Sequence, residues 1–290
     1  MKLLILEGFS KIPNNTGKSY SVLRLLEEAK KIDVETVRTN KYDISFEFND
    51  DGPAIKVQGR DIKEFSHIIF RTNFASINFG FSFIGIAKAN GVRILNSDSY
   101  SMILGDYSKL SQMAILANNG IRIPETYVYG SAERLLKTCN KDKYILKPNQ
   151  GTFGEDIEVA HQITCEYILE KYWSENILVQ EKLPNKVDFR VLVLNGKALG
   201  IMQRKAPEEQ LVTNYSSGGV VSAIKNRKLE DIAIKAAGAL KCEYAGVDIM
   251  FSKKDEPLIL EVNRNAQFEG FEKVVDVNVA ESLIKHLTKE

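Results

Sequence analysis

The sequence predicts an α/β protein, and three patterns carry that prediction. Over the first 96 residues, short β-rich apolar runs alternate with segments of helical period, as in an open sheet wound with helices. Residues 187–194 and 197–203 flank Asn195-Gly196, the strongest local hairpin signal in the chain. Residues 245–251 and 257–263 flank the polar run from Ser252 to Glu256 and read as a second hairpin.

Composition sets the outer limits. The chain has 290 residues, enough for roughly two or three structural units with sizeable cores. A hydrophobic content of 44% and a charged content of 27% are ordinary for a soluble globular protein. The net charge of +1 implies neither a nucleic-acid nor an acidic-membrane partner. Cys139, Cys165 and Cys242 are far apart and odd in number, so neither a disulfide framework nor a zinc spacing exists. His67, His161 and His286 are isolated and read as structural or exposed. A reducing cytoplasm is the expected compartment.

In order along the chain, residues 3–6 form a first strand. Glu7 ends that apolar run, which is too short for a signal sequence or a membrane span. After a polar loop containing Pro13, Thr16 caps a helix whose stripe is Val22, Leu25, Leu26 and Ala29. Gly17-Lys18-Ser19 falls at its start. A phosphate loop needs four residues between its first Gly and the Gly-Lys-Ser, and here eight separate Gly8 from Gly17, so an ordinary helix start is expected. Residues 34–37 and 67–70 are strands, residues 81–90 are helical up to Gly91, and 92–95 is another strand. Arg71 follows directly on the 67–70 strand, at the carboxyl end where ligands of such sheets gather. It is either part of an anion site or a surface arginine.

Residues 98–119 are helical in two pieces broken near Gly105. Lys109 lies in the second piece, whose buried side is Leu110, Met113, Ala114 and Leu116, with Gly120 as C-cap. A boundary falls near residue 122. Residues 144–159 run strand, glycine-rich turn, strand. Gly151 and Gly154 let the backbone turn its N–H groups outward, Thr152 adds a hydroxyl, and Lys147 places a charge at the entry. The turn is either a flap over phosphates or a plain β-turn. A helix over 166–172 and a strand over 177–180 follow. Asp188 and Arg190 share one face of the Asn-Gly hairpin, and Arg204-Lys205 follows its second strand. Residues 213–221 are rich in Gly and Ser and carry Asn214. An amphipathic helix over 229–240, built on Ile232, Ala233, Ala236 and Leu240, leads into the second hairpin, and a helix over 277–287 closes the chain.

A loop of residues 253–256 in the second hairpin sets Asp248 opposite Glu261, with Asn263 pointing to the same side. Like charges opposed across a sheet repel, and burial raises the cost. Either a cation sits there, or the hairpin lies at a sheet edge with both acids in water. An all-oxygen set without Cys or His suits a hard cation such as Mg2+.

Several segments then combine. They are Lys109-Leu-Ser-Gln-Met, Leu146-Lys-Pro-Asn-Gln-Gly-Thr-Phe-Gly, Val179-Gln-Glu, Asp188-Phe-Arg-Val-Leu-Val and Arg204-Lys. Asn214 ahead of Gly218-Gly219, Ala245-Gly-Val-Asp-Ile, Leu260-Glu-Val-Asn and Glu269-Gly complete the series. In this order they resemble the ATP-grasp superfamily, and within it the RimK-type amino-acid and peptide ligases. The resemblance runs from Asn96 to Glu272 and is weaker before it.

The resemblance implies an ATP-grasp fold, α+β in its ATP-binding part, behind an N-terminal open α/β domain. The implied units are residues 1–96, a central subdomain 97–182 with the flap, and a C-terminal subdomain 183–290 with the metal site. Lys109 and Lys147 are then expected to hold the nucleotide phosphates, and Gly151, Thr152, Phe153 and Gly154 to form the flap. Gln180 and Glu181, with the backbone after them, are expected to read adenine and ribose. Asp248, Glu261 and Asn263 are the implied Mg2+ ligands, for two ions, with Mn2+ as a substitute. Arg204 is expected to meet the γ-phosphate and then an acyl-phosphate, with Asn214 beside it. Asp188 and Arg190 lie at the substrate end, with Arg71 a further substrate-side candidate.

The chemistry so implied moves the γ-phosphoryl group of ATP to a carboxylate, and an amine then displaces phosphate. No protein nucleophile is required. An amino acid, peptide or protein is the implied substrate, and a homo-oligomer is compatible. Rival readings are a peptide-modifying enzyme making side-chain amide or ester links, a phosphotransferase, and a non-catalytic nucleotide binder. The intact set of three oxygen ligands speaks against the last. Two departures from the family pattern bear on the substrate. Val212 stands where a basic residue is usual, and Arg264-Asn-Ala-Gln-Phe replaces small residues and a Pro before Gly. They predict positive charge relocated within the site and a substrate other than glutamate.

Overall fold

The computed structural model describes residues 1–7, 19–50, 52–71, 77–102, 108–129, 134, 144–149, 158–159, 177–184, 186–205 and 220–289. Thr16, Gly17, Gly105, Val212, Asn214, the flap at 151–154 and the expected 166–172 helix lie outside them.

The first unit opens with β1 (Lys2–Glu7) and β2 (Glu35–Asn40). A small antiparallel sheet follows, β3 (Ile44–Asn49), β4 (Gly52–Val57) and β5 (Arg60–Asp61), which the sequence reading did not anticipate. Then come β6 (His67–Arg71) and β7 (Arg93–Ile94). The sheet β2-β1-β6-β7 is parallel throughout, as the strand–helix alternation predicts. Helix Tyr20–Lys31 buries Val22, Leu25 and Ala29 against it, and helix Ile77–Ala89 buries Phe83, Ile84 and Ala87.

Helices Ser97–Met102 and Lys109–Asn118 lead into a central sheet of β8 (Thr126–Tyr129), β9 (Tyr144–Pro148), β10 (Glu158–Val159) and β11 (Ile177–Glu181), in the order β10-β9-β11-β8. In helix Lys109–Asn118, Met113 and Leu116 are buried as expected. Ala114 is exposed, and Gln112 takes its place on the buried side. Gly120 at φ 67° ends the helix as predicted.

The last sheet has the order β14-β13-β12-β15-β16, from β12 (Val187–Leu194), β13 (Lys197–Lys205), β14 (Val220–Ile224), β15 (Tyr244–Phe251) and β16 (Pro257–Asn263). Asn195 and Gly196 both have positive φ, 47° and 69°, as a type I′ turn requires. Period-two alternation gives this sheet two apolar faces. Val191, Val193, Val247 and Ile249 pack against helix Arg227–Ala239. Leu192, Leu194, Met202 and Tyr244 join Phe268, Phe271, the closing helix Val279–Thr288, and Leu3 and Ile5 of the first unit in one core. Asn96, at φ 64°, pins the junction. Its Oδ1 accepts from Glu243 N at 2.8 Å and Tyr244 N at 2.9 Å, and its Nδ2 donates to Tyr244 O at 2.8 Å and Arg264 O at 3.0 Å.

Candidate active site

On the face that carries Leu192, Leu194, Met202 and Tyr244, the alternation continues into charged residues. Moving along β12 gives Arg190 and Asp188, along β13 Arg204, and along β15 Gly246 and Asp248. Asp188 lies opposite Arg204, and Arg190 opposite Asp248. The pairs are bidentate. Arg204 donates from Nε and Nη2 to the Asp188 oxygens at 2.6 and 2.6 Å, and Arg190 donates to those of Asp248 at 2.7 and 2.6 Å. Arg204 Nη2 also stands 2.9 Å from Asp248 Oδ2, so two guanidinium groups clamp one carboxylate. Burial pushes the Asp248 carboxyl up, but Arg190 and Arg204 outweigh it and hold it at about 2. Burial disfavours the charge of Arg204, and Asp248 and Asp188 more than restore it.

Asp248 does face Glu261, by a different route from the one expected. The turn end pairs Phe251 with Pro257 and Ile249 with Ile259, one residue out of the predicted register. A β-bulge between Asp248 and Ile249 then restores the Asp248–Glu261 opposition. Bulges re-aim side chains, and this one turns Glu261 toward Asp248 where an unbroken ladder would present Leu260. Burial first, and the facing Asp248 next, raise the Glu261 carboxyl above its ordinary value. Asp248 has two cationic partners, whereas no hydrogen bond or ion pair among the described residues reaches Glu261. No three His, Cys, Asp or Glu side chains gather among the described residues. The amide oxygen of Asn263, whose Oδ1 accepts Asn265 N at 2.9 Å, is the further oxygen donor on this strand that could hold a cation with the two acids. An under-compensated carboxylate among oxygen donors fits a hard divalent cation.

The lysines stand on the central sheet. Lys147 Nζ donates to Gln180 Oε1 at 2.7 Å, and Gln180 Nε2 donates to Thr126 Oγ1 at 3.1 Å. Burial, assisted by Lys109, lowers the Lys147 ammonium to about 8, while Glu261 and Asp248 pull it back up. These interactions bring Lys109, Lys147 and the two acids into one electrostatic unit. The Gln180 side chain is engaged with Lys147. Strand alternation turns Glu181 to the opposite face, where its carboxylate accepts Glu125 N at 3.0 Å.

Arg71 is not a surface residue. It is 5% exposed, donates to Ser21 Oγ at 3.1 and 3.0 Å and to Ala266 O at 3.1 Å, and lies 5.5 Å from the Phe268 ring centroid. It therefore clamps the segment after β16 to the first unit. Arg264 is a correction to the expected relocation of charge. It lies 4.5 Å over the Tyr100 ring and donates to Ser99 O at 3.0 Å, in the layer of helix Ser97–Met102. The sequence reading missed the double clamp on Asp248, the Asn96 knot, and the contacts of Gln112 and Asn149. Only the shared face of Asp188 and Arg190 gave a signal for the clamp.

Residues 107–287 match the family model of the RimK-like ATP-grasp domain. A probable alpha-L-glutamate ligase of Shewanella baltica is 30% identical over 304 aligned positions, covering 100% of this chain and 96% of the relative. Among solved structures, the ATP-grasp ligase PsnB, held with a precursor variant, Mg and ADP, superposes with a TM-score of 0.72 at 16% identity, covering 99% of this chain and 97% of that one. The macrocyclase MdnB of Microcystis aeruginosa superposes with a TM-score of 0.70 at 14% identity, covering 99% and 98%. At these identities the structures establish the ATP-grasp fold.

Proposed function

The chain belongs to the RimK-like ATP-grasp family, and on that premise we propose that it is an ATP-dependent carboxylate–amine ligase working through an acyl-phosphate. One observation carries the residue assignment: Glu261, with no hydrogen-bond or ion-pair partner among the described residues, faces Asp248 across the sheet, within the fields of Arg190, Lys109 and Lys147. Lys109 and Lys147 hold the ATP phosphates, and Asp248, Glu261 and Asn263 hold Mg2+. A cation held by these oxygens would offset charge on the phosphates. Arg190 and Arg204, already aligned by Asp188 and Asp248, offer cationic edges to the transferred phosphoryl group. A substrate carboxylate oxygen attacks the γ-phosphorus and ADP departs. The amine then attacks the acyl carbon, phosphate departs with that oxygen, and the amine loses a proton. The protein offers positioning and charge, which suffices for phosphoryl transfer.

Glutamate is the first amine to test, since the curated relative bears that name. Precursor peptides accompany ligases of this fold, so peptide acceptors and side-chain amide or ester products belong in the same assay. No described helix is long and apolar enough to cross a membrane, and we place the enzyme in the cytoplasm. The test is phosphate release with ATP, Mg2+ and pools of amino acids and peptides. Release that depends on both acid and amine, with ADP rather than AMP, supports the ligase. A stable phosphorylated product would replace it with a phosphotransferase.

The lysine adds a pH dependence. The Lys147 ammonium of the nucleotide-free protein loses its charge above about 8. ATP affinity at saturating Mg2+ is expected to fall by up to about tenfold per pH unit beyond that point. Lys147→Met should bind ATP weakly at every pH and remove the slope, which calorimetry across the range would check.

A further inference from the structure

Helix Lys109–Asn118 touches both halves of the nucleotide site through residues that the proposed chemistry does not use. At its start, Asn149, on the threshold of the glycine-rich turn, accepts Leu110 N at 2.9 Å and Ser108 Oγ at 3.3 Å on Oδ1. The Asn149 backbone carbonyl accepts Lys109 N at 3.1 Å, and Ser108 Oγ accepts Ser111 N at 3.1 Å. The N–H groups of the first turn, orphaned in any helix, are thus met largely by one residue of the flap root. At the next turn Gln112, which is 4% exposed, accepts Val262 N at 3.0 Å on Oε1. Val262 lies between Glu261 and Asn263 on β16, the outermost strand of its sheet, so this N–H has no strand partner and takes a side-chain oxygen instead. Leu116 packs in the same core as Val262 and completes the seat.

Lys109 and Gln112 are three residues apart and share a helix face. The lysine and the flap root are therefore tied to the backbone of the acid floor through one rigid turn. We propose that this helix is a spacer bar, with Asn149 and Gln112 as positioning residues that set the distance between the phosphate-binding lysines and the Asp248–Glu261–Asn263 floor, so that metal and nucleotide tighten each other's binding. The inference rests on the ATP and Mg2+ assignment above. A cation held by the acid floor would gain its full interaction with nucleotide phosphates only when the lysines and the floor stand at the right separation. Loss of either tie leaves both half-sites present and weakens their coupling.

The experiment measures the ATP Kd of the full chain by calorimetry without acid or amine substrate, once with EDTA and once with Mg2+, and takes the ratio. Gln112→Met keeps the volume and loses the acceptor. It is expected to cut the ratio about fivefold or more while moving the metal-free Kd by less than about twofold. Asn149→Ala is expected to cut the ratio similarly and serves as the second variant if Gln112→Met does not fold. Gln112→Glu keeps an acceptor at the same reach and is expected to retain at least the wild-type ratio. A lower Tm with an unchanged ratio in both variants would overturn the spacer bar and leave a merely structural helix. Failure of the wild-type chain to bind ATP would overturn the ligase assignment instead.

Discussion

Glu261→Gln is expected to cut Mg2+-dependent turnover severely and to leave the fold at least as stable as before. The carboxylate it removes has no hydrogen-bond or ion-pair partner among the described residues, is partly buried, and faces Asp248 across the sheet. Its neutral isostere relieves repulsion and breaks no pairing. Phosphate release should fall by about 10²–10³-fold, the usual scale for one preorganised electrostatic contact, while Tm holds or rises. The pH dependence follows from the sign of the shift. The Glu261 carboxyl is raised in the folded chain, so its contribution to stability is full below the ordinary value of 4.5 and is lost as pH rises through the folded value. Asp248 runs the other way: its contribution is present above 3.8 and is lost as pH falls toward about 2. Unfolding the unliganded wild type and Glu261→Gln across pH should show the first loss in the wild type alone. Near-normal turnover in Glu261→Gln would contradict the metal assignment.

Arg204→Leu is expected to destabilise the chain by about 3–5 kcal/mol and to abolish turnover, because it strands the buried Asp188 and takes one of two cations from Asp248. Arg204→Lys is the informative companion. It keeps a charge, but an ammonium cannot make the two-pronged contact with Asp188 and reach Asp248 as well. It should recover part of the stability and little of the activity. Urea unfolding and phosphate release measured on the same preparations separate the two. A Lys variant with wild-type turnover would show that only the charge at position 204 matters.

Much of the molecule was legible in the sequence, for identifiable physical reasons. The parallel sheet announced itself through alternation, the Asn195-Gly196 hairpin through a turn that needs positive φ, and the Asp248–Glu261 pair through acids set in an apolar run. What stayed hidden depends on contacts distant in sequence or on local slips of register. The bulge beside Asp248 compensates a loop one residue longer than expected, and no periodicity reveals such a pair of offsets. The small sheet β3-β4-β5 does carry a strand pattern, with Ile44, Phe46 and Phe48 alternating with polar residues and Ile55 and Val57 buried, and the reading along the chain passed over it. Arg264 looks like a charge added to the site because Asn263 precedes it, yet it stacks on Tyr100. Arg71 looks exposed because single arginines usually are, yet it is buried and reaches Ala266, 195 positions away. A side chain's destination is set by the partner that can satisfy it, and that partner is rarely a sequence neighbour.

The account rests on a carboxylate being activated by phosphorylation over this charged floor, and oxygen transfer tests it directly. The acid substrate is prepared with 18O in its carboxylate, the enzyme is turned over with ATP, Mg2+ and the amine, and the released phosphate is analysed by mass spectrometry. An acyl-phosphate pathway predicts one 18O in phosphate for each amide formed. Amide formation with unlabelled phosphate would contradict it.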